Sequence, residues 1–144
     1  MTAATSKTTT TGAAVDLDVE HIDGEAYEIH VRGHRVLVDQ PTADRGADRA
    51  PTPTELFVGS LAACVAFYAG RYLTRHGFSR DGLRVRTRFE MATDRPARVA
   101  AIRMTLRLPA GFPADRVRPL LAVASHCTVH NSITTAPEIT IGTE

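Results

Sequence analysis

The sequence predicts an α+β fold with an antiparallel sheet, and three observations support this prediction. Apolar and polar residues alternate in several short segments, which is typical of strands that place one face in a core. A continuous apolar stretch, residues 56–70, has the composition of a buried helix. The order along the chain is three strands, a long helix, two strands, a second helix, a short helical turn and a last strand, which indicates α+β.

The first 52 residues divide into a tail, three strands and a loop. Residues 1–13 are rich in threonine and predict a disordered tail, because they cannot bury enough surface to offset the entropy of ordering them. We expect a single domain over residues 14–144, since the chain is too short for two ordinary domains. The strands are expected around Val15–Val19, 26–31 and 35–38, followed by a polar loop over 40–52.

A long helix is predicted from Pro53 to about His76. Pro53 suits the first helical position, Thr52 can act as the N-cap, and Glu55 lies where a capping box places its acidic residue. Gly77 then provides a C-terminal stop. The apolar stretch within this helix is shorter than the roughly 20 residues that a membrane span needs. We therefore expect a fully buried central helix and no insertion in a membrane.

Two strands with a basic face are predicted after the long helix. The segments Leu83–Phe89 and Ile102–Leu108 alternate apolar residues with arginines. We expect a solvated charged face there, and phosphate binding is the alternative. A second helix begins at Pro113, a short helical turn follows around residues 126–134, and a last strand is expected over Glu138–Ile141. The arginines of the charged face are Arg84, Arg86, Arg88, Arg103 and Arg107.

Composition and charge exclude several classes of function. The net charge is +1, from 17 basic and 16 acidic residues, so no overall field attracts nucleic acid or acidic lipid. The only lysine is Lys7, so the core has no lysine for the Schiff base of pyridoxal-type chemistry. Two cysteines are too few for a secreted disulfide scaffold, and the N-terminus has no apolar signal segment. We expect a cytoplasmic protein that binds neither nucleic acid nor membrane.

The two cysteines are the candidate reactive residues. Cys64 lies within the apolar helix, where a thiol is often only a small buried side chain. Cys127 lies in a polar stretch at the start of the short helical turn, and a helix N-terminus lowers the pKa of a thiol. Two thiols favour redox chemistry, in which a peroxide oxidises one to a sulfenic acid and the second condenses with it to a disulfide.

A Cys/His metal site is the weaker alternative. His126, Cys127 and His130 form an H-C-x-x-H cluster, and Cys64 is the one other thiol that could join it. Structural zinc sites usually take their ligands from two paired spacings, whereas here the fourth ligand is alone in a helix. We therefore expect no bound metal.

Two stretches of the chain resemble the OsmC/Ohr family of thiol-dependent peroxidases. They are PTPTELFVGSLAACVAFYAGRYLTRHGF, residues 51–78, and HCTVHNSI, residues 126–133, and the similarity extends from about residue 33 to the C-terminus. The resemblance implies an OsmC-like fold in an intertwined homodimer, whose long helices pack together through small residues. It also implies a peroxidatic role for Cys64 and a resolving role for Cys127.

The same resemblance implies an activity in the oxidative stress response. Members reduce organic hydroperoxides to alcohols without a metal or organic cofactor, and a dithiol or a lipoylated protein reduces the resulting disulfide. The apolar helix predicts a preference for organic hydroperoxides over hydrogen peroxide, because it favours apolar substituents. The alternative is a catalytically weak dimeric, stress-associated protein that binds a small apolar ligand.

The chain departs from the family pattern near both cysteines. Thr54 stands where the family's peroxidases have a glutamate that holds an activating arginine, and Glu55 follows one position later. Glu55 is therefore either an active-site carboxylate or a helix cap. Arg45 is the expected activating arginine, chosen by its spacing from the long helix, and Thr128 replaces a proline that commonly follows the resolving cysteine. The other candidate arginines are Arg32, Arg35 and Arg49.

Overall fold

The computed structural model describes residues 10–144 and confirms the α+β class. Among these residues are antiparallel sheets and three α-helices, arranged in two compact units that meet in the sequence between Thr52 and Pro53. Most of the predicted tail, residues 1–9, lies outside the described residues, and residues 10–13 have no regular structure. The single domain expected over residues 14–144 stays a prediction.

A three-stranded antiparallel sheet forms the unit that ends at Thr52. Arg32 and Gly33 both have positive φ, 47° and 81°, so they make the two-residue turn whose twist suits a hairpin between the second and third strands. In order along the sheet, the strands are β1 (Asp18–Asp23), β2 (Ala26–Val31) and β3 (His34–Val38).

β1 begins later than the apolar pattern predicts. Val15 and Leu17 alternate with polar residues, but they are 74% and 55% exposed, and pairing begins only where Asp18 meets His30. The strand expected around Val15–Val19 is therefore displaced toward the C-terminus, because the side chains at its predicted start gain no burial.

A buried carboxylate organises the loop after β3. Asp39 is 1% exposed and accepts hydrogen bonds from the backbone N–H groups of Gln40, at 2.8 Å, and Arg49, at 3.2 Å. These bonds, led by the one from Gln40, lower the pKa of Asp39 because they favour its charged form. The Arg49 guanidinium also bonds to Asp39 and to Asp23 of β1. The loop is thus connected to the sheet through one arginine.

The long helix, α1, spans Pro53–Arg75. Gly77 has a φ of 77°, and the N–H groups of Gly77 and Phe78 donate to the carbonyls of Thr74 and Leu73, at 3.2 and 2.8 Å. This is the Schellman motif, in which a glycine takes the left-handed conformation that ends a helix. Both predicted ends of the helix are confirmed.

The expectation of a fully buried helix is wrong for the described chain, because α1 buries one side in its own unit and leaves the other side exposed. The exposed side carries Gly59, Ser60, Ala63 and Phe67, which recur at the three- and four-residue spacing of one helix face. By length and composition α1 could also cross a membrane, yet its opposite side packs in a core, as the central helix of a globular fold does. The buried residues of α1 are Val58, Leu61, Val65, Ala69, Gly70, Tyr72 and Leu73.

Two strands and two helices complete the second unit. The strands pair with each other in the described chain, so the one antiparallel sheet expected from the sequence forms as two separate sheets. α1 packs against both strands and both of the following helices. These elements are β4 (Arg84–Met91), β5 (Val99–Arg107), α2 (Ala114–Ala124) and α3 (Thr128–Thr134).

The strand expected over Glu138–Ile141 is not formed. The segment has no regular structure, and Ile139 and Ile141 are 76% and 95% exposed. A strand needs a neighbour to satisfy its backbone N–H and C=O groups, and in the described chain this segment pairs with none. Alternating apolar residues alone therefore do not make this segment a strand.

Truncating Leu120 should destabilise the protein far more than truncating its neighbour Leu121. Leu120 is 0% exposed in the core that α1 and α2 share, whereas Leu121 is 43% exposed. We expect Leu120→Ala to lower the free energy of unfolding by about 2–5 kcal/mol because it leaves a cavity, and Leu121→Ala by about 1 kcal/mol or less. Urea unfolding of the two variants measures this difference, and equal losses would contradict the orientation of α2.

Candidate functional site

Two thiols lie side by side where α1 meets α3. Cys64 is in the middle of α1 and is partly buried, and Cys127 directly precedes α3 and is 0% exposed. Cys64 packs against the core cluster that contains Cys127 and raises the pKa of its thiol, so the two are neighbours, and both are free thiols. Folding thus brings together the two cysteines that the sequence places far apart.

Cys127 is the N-cap of α3. Its sulfur accepts a hydrogen bond from the backbone N–H of His130 at 3.4 Å, which confirms its predicted position at the start of a helical turn. The expectation that this position lowers the thiol pKa is wrong. Burial raises the pKa of Cys127 because the buried site disfavours the thiolate, Cys64 raises it further, and the His130 N–H offsets this only in part.

A hydrogen bond between side chains connects the two helices beside the thiols. Tyr68 lies one helical turn after Cys64, and its hydroxyl oxygen is 2.9 Å from Thr128 Oγ1. Thr128 is the first residue of α3 and directly follows Cys127. The bond therefore helps to hold the α3 N-terminus against α1. Our reading of the sequence missed Tyr68, and its spacing from Cys64 was the signal that could have found it.

The two histidines of the H-C-x-x-H cluster bond to backbone carbonyls, one in the last turns of α2 and one just after it. The Nδ1–H of His126 donates to the carbonyl of Ala122 at 2.8 Å, and that of His130 donates to the carbonyl of Ser125 at 2.5 Å. In the part of the chain that the structure describes, no group of three His, Cys, Asp or Glu side chains is placed to hold a metal ion. The metal alternative has no support from this geometry.

An apolar cavity borders residues next to the thiol pair. Its volume is 460 Å³, and it is lined by Val65, which follows Cys64, by Met104 and Leu106 of β5, and by His130. Pockets for small ligands are typically roughly 300–1,000 Å³, so this cavity has the size for one. Neither sulfur lines it. A second cavity of 360 Å³ shares Met104 and His130 with the first.

The other two candidate residues lie in other parts of the chain. Glu55 lies in the first turn of α1, nine positions before Cys64 and so about half a turn away around the helix. Arg45 belongs to the unit that ends at Thr52, where it is exposed, has a φ of 70° and follows a short 3₁₀ turn. Its role as the activating arginine, and that of Glu55, stay predictions. Arg49, another candidate, is bonded to two aspartates of its own unit.

Several solved structures are similar to this chain. An osmotic stress induced and detoxification response protein from Psychrobacter arcticus is 20% identical, with a TM-score of 0.76 over 85% of this chain and 90% of that protein. An OsmC-like protein from Vibrio cholerae is 10% identical, with a TM-score of 0.66 over 84% and 94% of the two chains. An organic hydroperoxide resistance protein, OsmC, from Legionella pneumophila is 15% identical, with a TM-score of 0.59 over 86% and 91%. At sequence identities this low, the structural similarity shows that the fold is shared.

The family assignment rests on the sequence itself. A search of curated protein sequences finds no match to this chain. The model of the OsmC-like protein family matches residues 46–142, which is more than half of the chain and includes α1, Cys64, Cys127 and α3. The resemblance noted from the two cysteine segments is thereby confirmed, and the chain belongs to the OsmC-like protein family.

Proposed function

We propose that this protein is a thiol-dependent peroxidase that reduces organic hydroperoxides, with Cys64 as the peroxidatic and Cys127 as the resolving cysteine. The observation that carries this proposal is that the partly exposed Cys64 packs against the core cluster that holds the fully buried Cys127. A peroxide must reach the first sulfur, whereas the second needs only to reach the first. Membership of the OsmC-like family supports a stress-related redox role.

The proposed cycle has three balanced steps. The Cys64 thiolate attacks one oxygen of ROOH, the O–O bond breaks, and the alkoxide takes up a proton and leaves as ROH, so Cys64 becomes a sulfenic acid. The Cys127 sulfur gives up its proton and attacks the Cys64 sulfur, an S–S bond forms, and the hydroxyl group leaves with that proton as water. A dithiol, free or on a lipoylated protein, then supplies two electrons and two protons that restore both thiols.

The raised pKa of Cys127 suits a resolving role. Because Cys127 is buried and its raised pKa leaves less thiolate, it should react with peroxide more slowly than an exposed thiol with an ordinary pKa does. Its contact with Cys64 places it beside the sulfenic acid once that group forms. The proton that burial retains on Cys127 is then available to the leaving hydroxyl group.

The apolar cavity that Val65 and His130 help to line supports a preference for organic hydroperoxides. Its walls are mainly aliphatic, with Val65, Met104, Leu106 and Leu121 among them. An alkyl or aryl group that enters it leaves water, which favours binding by roughly 25 cal/mol for each Å² of apolar surface buried. Hydrogen peroxide has no such group. The same cavity supports the second candidate function, a slow enzyme that serves mainly to bind a small apolar ligand.

We further propose that the protein is a cytoplasmic homodimer. The exposed side of α1 places Phe67, 53% exposed, beside the small residues Gly59 and Ala63. Small residues let another backbone approach closely, so a second copy of α1 could cover this side and bury the phenyl ring. A reducing compartment keeps free thiols reduced between turnovers, which the proposed cycle requires.

An organic hydroperoxide should convert the reduced protein to a disulfide between Cys64 and Cys127 of one chain. With one equivalent of cumene hydroperoxide we expect the loss of two hydrogens, measured by mass spectrometry under non-reducing conditions and mapped to that pair. The same reaction with hydrogen peroxide should be slower, because that oxidant gains nothing from the apolar cavity. Equal rates would contradict the role given to the cavity.

Two serine variants separate the steps of this reaction. Cys127→Ser should stop at a Cys64 sulfenic acid that dimedone traps, whereas Cys64→Ser should leave Cys127 unreacted because that thiol is buried and protonated. Persistence of both thiols in the wild-type protein would refute the peroxidase proposal. Binding of an apolar ligand that survives Cys64→Ser would then support the binding function instead.

The thiol of Cys127 should ionise at a higher pH in the folded protein than in the unfolded one. We expect this in Cys64→Ser as well, because burial is the largest cause of the shift. Because the pKa of Cys127 is higher in the folded state, the folded protein holds the thiol proton more tightly than the unfolded protein does. The resulting contribution to the free energy of unfolding is full below about pH 8.5, the pKa of a free thiol. It declines as the pH rises toward the folded pKa. Ultraviolet absorbance of the thiolate, with and without guanidinium, measures both midpoints. A lower midpoint in the folded state would mean that the N-cap bond outweighs burial.

Replacing Phe67 with aspartate should separate the proposed dimer. A carboxylate on the exposed side of α1 would be buried against a second copy without a partner, so association should weaken. Sedimentation velocity should give the mass of a dimer for the wild-type protein and of a monomer for Phe67→Asp. Thr93→Asp, on the exposed loop between β4 and β5, is the matched control and should remain dimeric. A monomeric wild-type protein would contradict the proposal.

A further inference from the structure

The outer face of β4 and β5 concentrates positive charge on a chain that is nearly neutral overall. Alternate residues of the two strands are exposed, while those between them are partly buried toward the core. The exposed set contains five arginines and one glutamate, whereas the whole chain has a net charge of +1. We name this surface the arginine face, and its charged residues are Arg84, Arg86, Arg88, Arg103, Arg107 and Glu90.

The register of the two strands sets arginines directly against each other. Arg84 is opposite Arg107, and Arg88 is opposite Arg103. Arg103 forms an ion pair with Glu90 at 3.1 Å, but among the described residues no carboxylate pairs with the other four arginines. Like charges directly opposite destabilise an antiparallel pair. A surface that only keeps a protein soluble carries charges of both signs, so solubility does not explain why these arginines lie opposite one another.

A groove lies between three of these arginines. Arg84, Arg86 and Arg107 line it, and Thr105, which is opposite Arg86, adds a hydroxyl group. Its volume of 190 Å³ is below the roughly 300–1,000 Å³ of pockets that enclose drug-sized ligands. Leu106 completes the lining, so the groove offers no aromatic ring on which a nucleobase could stack. Its shape and charge therefore fit a small anion that carries several negative charges.

We propose that this groove binds a short chain of phosphoryl groups, either free or as the tail of a nucleotide. Guanidinium groups present paired N–H donors that match phosphate oxygens. The Cα atoms of alternate residues on one strand are about 6.8 Å apart, and those of directly opposite residues are about 5.5 Å apart. Three arginines at this spacing suit a ligand with several linked phosphoryl groups better than a ligand with a single carboxylate group. The face lies on the outer side of the sheet, away from the core that contains Cys127, so the site is independent of the proposed peroxidase chemistry.

Calorimetric titration of the full chain with inorganic tripolyphosphate tests the proposal. We expect saturable binding that weakens as salt is added, because the contacts are ionic. The double variant Arg84→Gln, Arg107→Gln should bind about tenfold more weakly or worse, while its thermal midpoint stays the same or rises, because the opposed charges are gone. Absence of saturable binding to the wild-type protein would overturn the proposal.

A charge-matched control separates a built site from general attraction. Arg75→Gln, Arg98→Gln removes two positive charges outside the groove, at the end of α1 and in the loop between β4 and β5, and should leave the affinity within about twofold. An equal loss in this control would overturn the proposal. ATP that binds as well as tripolyphosphate, or better, supports a nucleotide tail as the source, and ATP that binds more weakly supports a free phosphate chain. A single-stranded oligonucleotide that displaces tripolyphosphate at much lower concentration would overturn it in favour of a nucleic-acid surface.

Discussion

The burial of one thiol against the long helix is the constraint on which the rest of the site depends. Cys127 is held at 0% exposure by its position as the N-cap of α3 and by the packing of α3 on α1. It lies beside Cys64, its burial raises its pKa, and it is closed to solvent whereas Cys64 is partly exposed. The Tyr68–Thr128 hydrogen bond acts on the same junction, since it joins the helix turn after Cys64 to the first residue of α3.

The second unit of the chain separates two kinds of chemistry on the two faces of one small sheet. The inner face of β4 and β5 packs on α1 and, through Met104 and Leu106, lines the apolar cavity beside the thiols. The outer face carries the unpaired arginines and the groove between them. Because side chains alternate along a strand, one short hairpin can present an apolar wall and a cationic surface without compromise between them.

The sequence was sufficient to predict those features that neighbouring residues determine. Proline at the start and glycine at the end define α1, and the position of Cys127 before a helical turn follows from the polar residues around it. It was insufficient where the outcome depends on distant parts of the chain. The direction of the Cys127 pKa shift reflects burial that outweighs the helix N-terminus, and the missing strand near Ile139 reflects the lack of a pairing neighbour among the described residues.

The same limit explains why the sequence singled out the two cysteines but not the residues that surround them. Thiols and their spacing are visible in the sequence, whereas the partner of Tyr68 depends on how α3 docks on α1. The opposition of Arg84 and Arg107 likewise depends on the register of β4 and β5, which alternation alone does not define. A shift of register by one residue would place these arginines on the core side.

The complete burial of Cys127 makes any disulfide between the two cysteines chemically unsymmetrical. An incoming thiolate must approach along the S–S axis, and of the two cysteines only Cys64 is partly exposed to solvent. In the proposed cycle, reduction would then pass through a mixed disulfide on Cys64, with Cys127 as the leaving group. A thiol with a raised pKa leaves slowly, so the reopening of this bond favours a reductant whose second thiol is already positioned to complete the exchange.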